Sequence, residues 1–219
     1  DGEACDDGNN NDEDTCSNTC HWRPVGTRWI PAGDYTIGRA NFGNASPAHT
    51  VRFERPFSMM AHEVTKAEFC EFDDECNSDL REPIASVTWV QATKYANWLS
   101  EEKGLEACYT YAGTTVNFSG VGCTGYRLPT EAEWESAARS PNLEHRYAGS
   151  NTPGDVAQFN CDTGGTTVGQ RAPNGFGLFD MSGNVREWVF DSIANYPNTN
   201  NARVDPAVNL GTVRVNRGG

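Results

Sequence analysis

Apolar and polar positions along this chain recur with two different periods. In IASVTWVQATKYANWLSEEKG, residues 84–104, Ala92, Tyr95, Ala96 and Leu99 fall at i, i+3, i+4 and i+7, the buried stripe of a helix. Thr88 followed by Gln91 matches a capping box at its start, and Gly104 supplies a left-handed stop. The same S/T-x-x-E/Q device sits at Thr65–Glu68 and Thr130–Glu133, predicting two more helices. In the third, Trp134, Ala137 and Ala138 mark the buried side, and the small alanines permit close approach to a sheet. Period-two segments are short. RWIPAGDYTIG reads as two strands around the turn Pro31–Ala32–Gly33–Asp34, HTVRFERPFSM as another, and Thr212–Val215 as a further candidate. From Ser140 onward the chain is loop-rich. Few helices, short strands and long structured loops predict an α+β fold.

Composition sharpens this picture. The 219 residues include 6 Trp, 10 Phe and 7 Tyr, enough aromatic volume for a real core. Their 22 Gly and 11 Pro fit the abundance of turns. No run approaches the ~18 apolar residues of a membrane helix. With 30 acidic against 17 basic residues the formal charge is −13, and no Lys/Arg cluster offsets it. That balance argues against a nucleic-acid partner and suits a hard cation such as calcium. A soluble acidic surface accounts for it equally well.

Eight cysteines (5, 16, 20, 70, 76, 108, 123 and 161) form an even set without CxxC zinc pairs, the usage of a disulfide-bonded protein in an oxidising compartment. Two local pairs are expected, Cys108 with Cys123 and Cys70 with Cys76. The partners of Cys5, Cys16, Cys20 and Cys161 stay open. Residues 1–21 differ in kind. CDDGNNNDEDTCSNTC has almost no apolar side chain and depends on bridges or ions for any structure. It resembles a small Cys-rich repeat of secreted bacterial proteins, and Asp1 is expected to fall inside that repeat. Asp7, Asn9, Asn11 and Asp12 lack the glycine of an EF-hand loop and read as a solvated acidic linker.

Candidate chemistry is sparse. His21, His49, His62 and His145 are isolated, and no nucleophile elbow or phosphate loop is present. The informative stretch is Asp180–Glu187. Two carboxylates bracket Gly183 and Asn184, residue types that tolerate positive φ. Such a turn can aim the Gly183 and Val185 carbonyls inward beside Asp180 and Glu187, an oxygen cage for Ca²⁺. The alternative is a capped turn in which Glu187 only accepts backbone hydrogen bonds. Trp98, Trp134 and Trp188 read as core, and Arg127 and Arg186 as anchors for buried carboxylates.

Five segments in order, RWIPAGDYTIG, HEVTKAEF, IASVTWVQATKYANWLSEEKGLEACYTY, GYRLPTEAEWESAAR and PNGFGLFDMSGNVREWV, resemble the formylglycine-generating (sulfatase-modifying factor) family over residues 27–219. The resemblance implies a C-type-lectin-like α+β fold with little regular secondary structure and bound calcium. It places calcium ligands at Asp180, Gly183, Val185 and Glu187, and a second site beginning at Asn160 and the Cys161 carbonyl. There the following loop DTGGTTVG is short and offers only Asp162. Family enzymes hold Cu(I) between two cysteines beyond an Arg-Gly-Gly motif, here Arg217–Gly219. Copper is therefore expected only if a further C-terminal segment carries a cysteine pair, and 27–219 reads as a C-terminally incomplete domain.

Three functions follow, in order. The first is a calcium-stabilised noncatalytic binding, adhesion or assembly domain, secreted or periplasmic, with a protein or cell-surface partner or further copies of itself. The second is a copper-dependent formylglycine-generating oxidase acting on a substrate cysteine. The third is a subunit of an extracellular fibre completed by a neighbouring chain.

Overall fold

Three threonines start three helices. In the computed structural model, which describes residues 26–39, 45–73, 80–139, 145–159, 165–196 and 201–219, Thr65 Oγ1 accepts from Glu68 N at 3.2 Å while Glu68 Oε2 accepts from Thr65 N at 2.8 Å. Helix α1 (Lys66–Cys70) follows. Thr88 and Gln91 repeat the exchange at the head of α2 (Trp89–Glu102), and Thr130 and Glu133 at the head of α3 (Glu131–Arg139). Each box satisfies two backbone or side-chain donors that a helix start leaves orphaned. Helix α2 stops at Lys103, with Gly104 at φ 69° as its sequence suggested. A single turn, α4 (Pro153–Val156), completes the helices among the described residues.

The strands pair in four small sheets. β1 (Thr27–Ile30) runs antiparallel to β4 (Phe57–Met60), and β2 (Gly33–Ile37) to β3 (His49–Phe53). β3 also lies parallel to β8 (Arg203–Val204), Val51 facing Arg203. β5 (Tyr109–Ala112) and β6 (Thr115–Phe118) form a hairpin, and β7 (Arg186–Ser192) pairs with β9 (Arg214–Gly218) across a bulge. Three expectations need correction. The strands flanking Pro31–Asp34 do not pair with one another. HTVRFERPFSM is two strands rather than one, because the chain turns at Glu54–Pro56 and Pro56 has no amide hydrogen for a ladder. The last strand begins at Arg214, two residues later than Thr212.

Helix α3 is the centre of the first core. Trp134 and Ala137 pack with Ile30, Leu178, Met181 and Val189, so a helix of small residues lies directly against strands. A second core joins Trp89 and Ala96 of α2 to Tyr109, Val116 and Phe190. The predicted disulfide Cys108–Cys123 closes its edge with a Cα–Cα distance of 5.8 Å. Cys70 is disulfide-bonded; Cys5, Cys16, Cys20, Cys76 and Cys161 lie outside the described residues. Trp98 stacks at a tilt on Tyr95 and Phe72, and Trp188 packs against the second core, as expected of core tryptophans.

Two ionic anchors fasten α3. Arg127 donates through both terminal nitrogens to Glu133 at 2.7 Å each, confirming it as the anchor of a buried carboxylate. Arg186 does not play that part. It is exposed, and its stem lies against Gly219. The second anchor is Glu135, which accepts from Gly38 N, Arg139 and the Tyr196 hydroxyl and forms a close ion pair with Arg217. One carboxylate thereby ties α3 to β9 and to the end of β2.

Of the predicted α2 stripe, Tyr95 and Ala96 are buried, whereas Ala92 and Leu99 are only half-buried. The reason is a cleft of about 530 Å³ that the stripe overlooks. The cleft runs beside β4, past Cys123–Pro129, to the start of β7.

Candidate metal-binding turn

The segment from Asp180 to Glu187 is neither helix nor continuous strand. Asp180, Gly183 and Asn184 take φ of 58°, 95° and 60°, so the chain reverses sharply before entering β7. Gly183 has a second requirement. A Cβ there would stand 2.2 Å from the Gln158 carbonyl, which accepts Asn184 N at 2.9 Å. Only glycine permits that approach.

A buried carboxylate holds the turn from beneath. Glu63 Oε2 accepts from Asn184 Nδ2 at 2.8 Å, and Glu63 Oε1 from Val185 N at 3.1 Å. Asn184 Oδ1 in turn accepts from Thr166 N at 2.8 Å. Sequence reasoning missed Glu63. The signal available was its place in HEVTKAEF beside a capping box, where a charged residue between apolar neighbours stands at a buried position.

Burial pushes the Glu63 carboxyl up to about 9, with Glu187 and Asp180 adding to the rise and the two hydrogen bonds opposing it. Glu187 is raised to about 7 by burial and by Asp180, against a 3.1 Å hydrogen bond from Trp134 Nε1. Asp180 is also raised by burial, while Gly169 N at 2.6 Å and His62 hold it down. Three carboxylates thus raise one another's proton affinity around one turn, a field that a cation relieves.

The four residues singled out in the sequence do come together on this turn. A Cβ on Gly218 would lie 3.1 Å from Glu187 Oε1 and 3.2 Å from the Val185 carbonyl oxygen, so these two oxygens flank a space that glycine keeps open. Trp134 engages Glu187 through Oε2, and Gly169 engages Asp180 through Oδ2, which leaves Oε1 and Oδ1 for a cation. The Gly183 carbonyl accepts a long 3.3 Å bond from Gly219 N. Among the described residues no three His, Cys, Asp or Glu side chains cluster as a metal site. The donor set here is two carboxylates and backbone carbonyls, a hard-oxygen combination that fits Ca²⁺ rather than a transition metal. The second predicted site, Asn160 and Cys161, lies outside the described residues.

Residues 14–219 match the sulfatase-modifying factor enzyme 1-like domain. A formylglycine-generating enzyme of Streptomyces coelicolor is 31% identical over 90% of this chain and 80% of its own length. The chaperone protein LppX of Paenibacillus barcinonensis is 31% identical over 62% of both chains. A formylglycine-generating enzyme of Thermomonospora curvata is 32% identical over 63% of this chain, which spans only 44% of that relative. Among solved structures, Treponema denticola variable protein 1 superposes with a TM-score of 0.75 at 26% identity, covering 88% of this chain and 82% of that one. Fold, motifs and sequence identity agree: the chain belongs to the sulfatase-modifying factor, or formylglycine-generating enzyme, family.

Proposed function

We propose that this chain is an extracellular, calcium-stabilised binding domain of the family without catalytic activity of its own. The observation that carries the reading is the cleft beside β4, walled by Phe57, Met59, Tyr95, Leu99, Trp134 and Trp188. An apolar recess of this size is where proteins of this kind take a ligand or partner segment. The carboxylates that reach it, Glu63 and Glu187, are engaged in holding the Asp180–Glu187 turn. The likeness to the Treponema protein accords with this reading, as do the disulfides, which suit an oxidising compartment. No helix among the described residues is long and apolar enough to cross a membrane.

Calcium would neutralise the charge that gathers where Asp180 and Glu187 converge. The protein's own part is to present the oxygens. Trp134 orients Glu187, Gly169 orients Asp180, and Glu63 fixes the backbone between them.

Heating the protein with calcium or with a chelator tests the metal. Calcium should raise the melting temperature, and Asp180→Asn together with Glu187→Gln should remove the increment. An unchanged melting temperature across calcium concentrations would sink the calcium reading.

A second reading, formylglycine-generating oxidase, is favoured by the 31% identity to the Streptomyces enzyme. The discriminating assay supplies the protein with Cu(I), oxygen and a cysteine-containing sulfatase peptide, and follows the peptide's mass. The binding-domain reading expects no conversion to the aldehyde; turnover would overturn it.

A further inference from the structure

The β4 strand has β1 as its one strand neighbour among the described residues, and the ladder's parity shows which of its backbone groups are left over. Ala61 N bonds to Gly26 O at 2.9 Å, so in the same register Met59 and Phe57 exchange bonds with Arg28 and Ile30. Ser58 and Met60 therefore turn their N–H and C=O groups away from β1, and no bond within the protein reaches them. They face the cleft: Phe57, Ser58, Met59 and Met60 all line it in succession. Consecutive lining residues mean that the cleft follows an open strand edge rather than a sheet face. Its far wall is again consecutive chain, Val185–Trp188.

The walls add two further properties. The α2 stripe, prepared to be covered, contributes Ala92 and Leu99 half-buried. Arg55 and Arg186 line the cleft, are exposed, and form no ion pair in a chain of net charge −13.

We propose that this slot takes one extended strand of a partner polypeptide, apolar at alternate positions and acidic at its flanks, paired with the backbone of Ser58 and Met60 on the edge of β4. An open edge supplies affinity through main-chain hydrogen bonds, the apolar floor selects side chains on one face, and the arginines select flanking charge. The proposal rests on the binding-domain reading and names the site and the class of partner.

The probe is an acetylated, amidated eight-residue peptide of alternating threonine and valine between two glutamates, titrated while the intrinsic tryptophan fluorescence is followed. Two control peptides carry lysine flanks or N-methylated valine amides. The acidic peptide should bind, and both controls should bind at least about tenfold more weakly. Arg55→Glu with Arg186→Glu should reverse the flank preference. Ser58→Pro, which deletes one outward N–H from an edge strand that tolerates proline, should weaken binding while leaving the melting temperature near that of the parent. Equal binding of the N-methylated peptide, or no binding at millimolar concentration, overturns the proposal. So does a dimer by sedimentation in the absence of peptide that the peptide cannot compete, which would assign the slot to a second copy. The calcium-dependent melting shift and the copper assay are read on the same sample, so loss of peptide binding with those results intact sinks this inference and not the reading beneath it.

Discussion

Glu63 and Asn184, 121 positions apart in sequence, are joined by a 2.8 Å hydrogen bond that fixes a positive-φ residue at the head of β7. The same carboxylate takes Val185 N, so one side chain sets two consecutive backbone positions of the turn. Glu63→Ala should therefore cost about 2–4 kcal/mol, since it leaves buried donors unpaired and a small void. Glu63→Gln keeps an acceptor for Val185 N but turns its amide nitrogen toward that of Asn184, and should lose roughly half as much. Urea unfolding of the two variants, with equal m-values, measures both.

Arg127 and Glu133 are nearly enclosed, with side-chain exposures of 11% and 5%. Removing one partner strands the other. Arg127→Ala is expected to destabilise by about 3–5 kcal/mol, and Arg127→Met with Glu133→Leu by much less. A double-mutant cycle by denaturant unfolding gives the coupling; a double variant as unstable as the single would contradict this account.

Asp191 accepts from Glu131 N and Val208 N at 2.8 Å each, yet burial raises its carboxyl to about 6. The folded chain then holds a proton between about pH 4 and 6 that the unfolded chain has released. Its contribution makes stability fall as pH rises through that window, by roughly 2–3 kcal/mol in total. Asp191→Asn should flatten the slope there. Urea midpoints at half-unit pH steps would reveal it.

Glu135 has the opposite sign. Burial works to raise its carboxyl, but Arg217, the Gly38 amide, Tyr196 and Arg139 together hold it below the usual carboxylate range. Its stabilising effect is present above the unfolded-state value and disappears as pH falls through the folded one. Glu135→Gln should lessen acid sensitivity below about pH 4 while lowering stability at neutral pH. Acid titration followed by near-ultraviolet circular dichroism tests it.

Gly218 sits at φ 72° with Glu187 Oε1 and Val185 O close to where a Cβ would go. Gly218→Ala should cost about 1–2 kcal/mol through backbone strain and reduce the calcium-dependent rise in melting temperature. A rise equal to that of the parent would mean that no cation occupies this space.

Local chemistry was legible in the sequence wherever it was written within a few residues. Thr65, Thr88 and Thr130 announced three helices, and Cys108 and Cys123 announced their bridge, because capping and short-loop closure are local. Sheet pairing was not. β1 finds β4 rather than β2, and β3 finds β8, because partners are set by burial of side chains distant in sequence. Motif spacing brought Asp180, Gly183, Val185 and Glu187 to one turn. It could not yield Glu63, whose relation to that turn exists only after folding, nor reveal that Arg217 would take the buried role read into Arg186.

The parallel contact of Val51 with Arg203 has a consequence for how the protein is made. A ribosome must release nearly the whole chain before β3 gains its second neighbour, whereas the β5–β6 hairpin can form as soon as Phe118 emerges. Maturation should then be limited by this late, long-range closure, leaving the outer side of β3 open to chaperones or mispairing until synthesis is almost over.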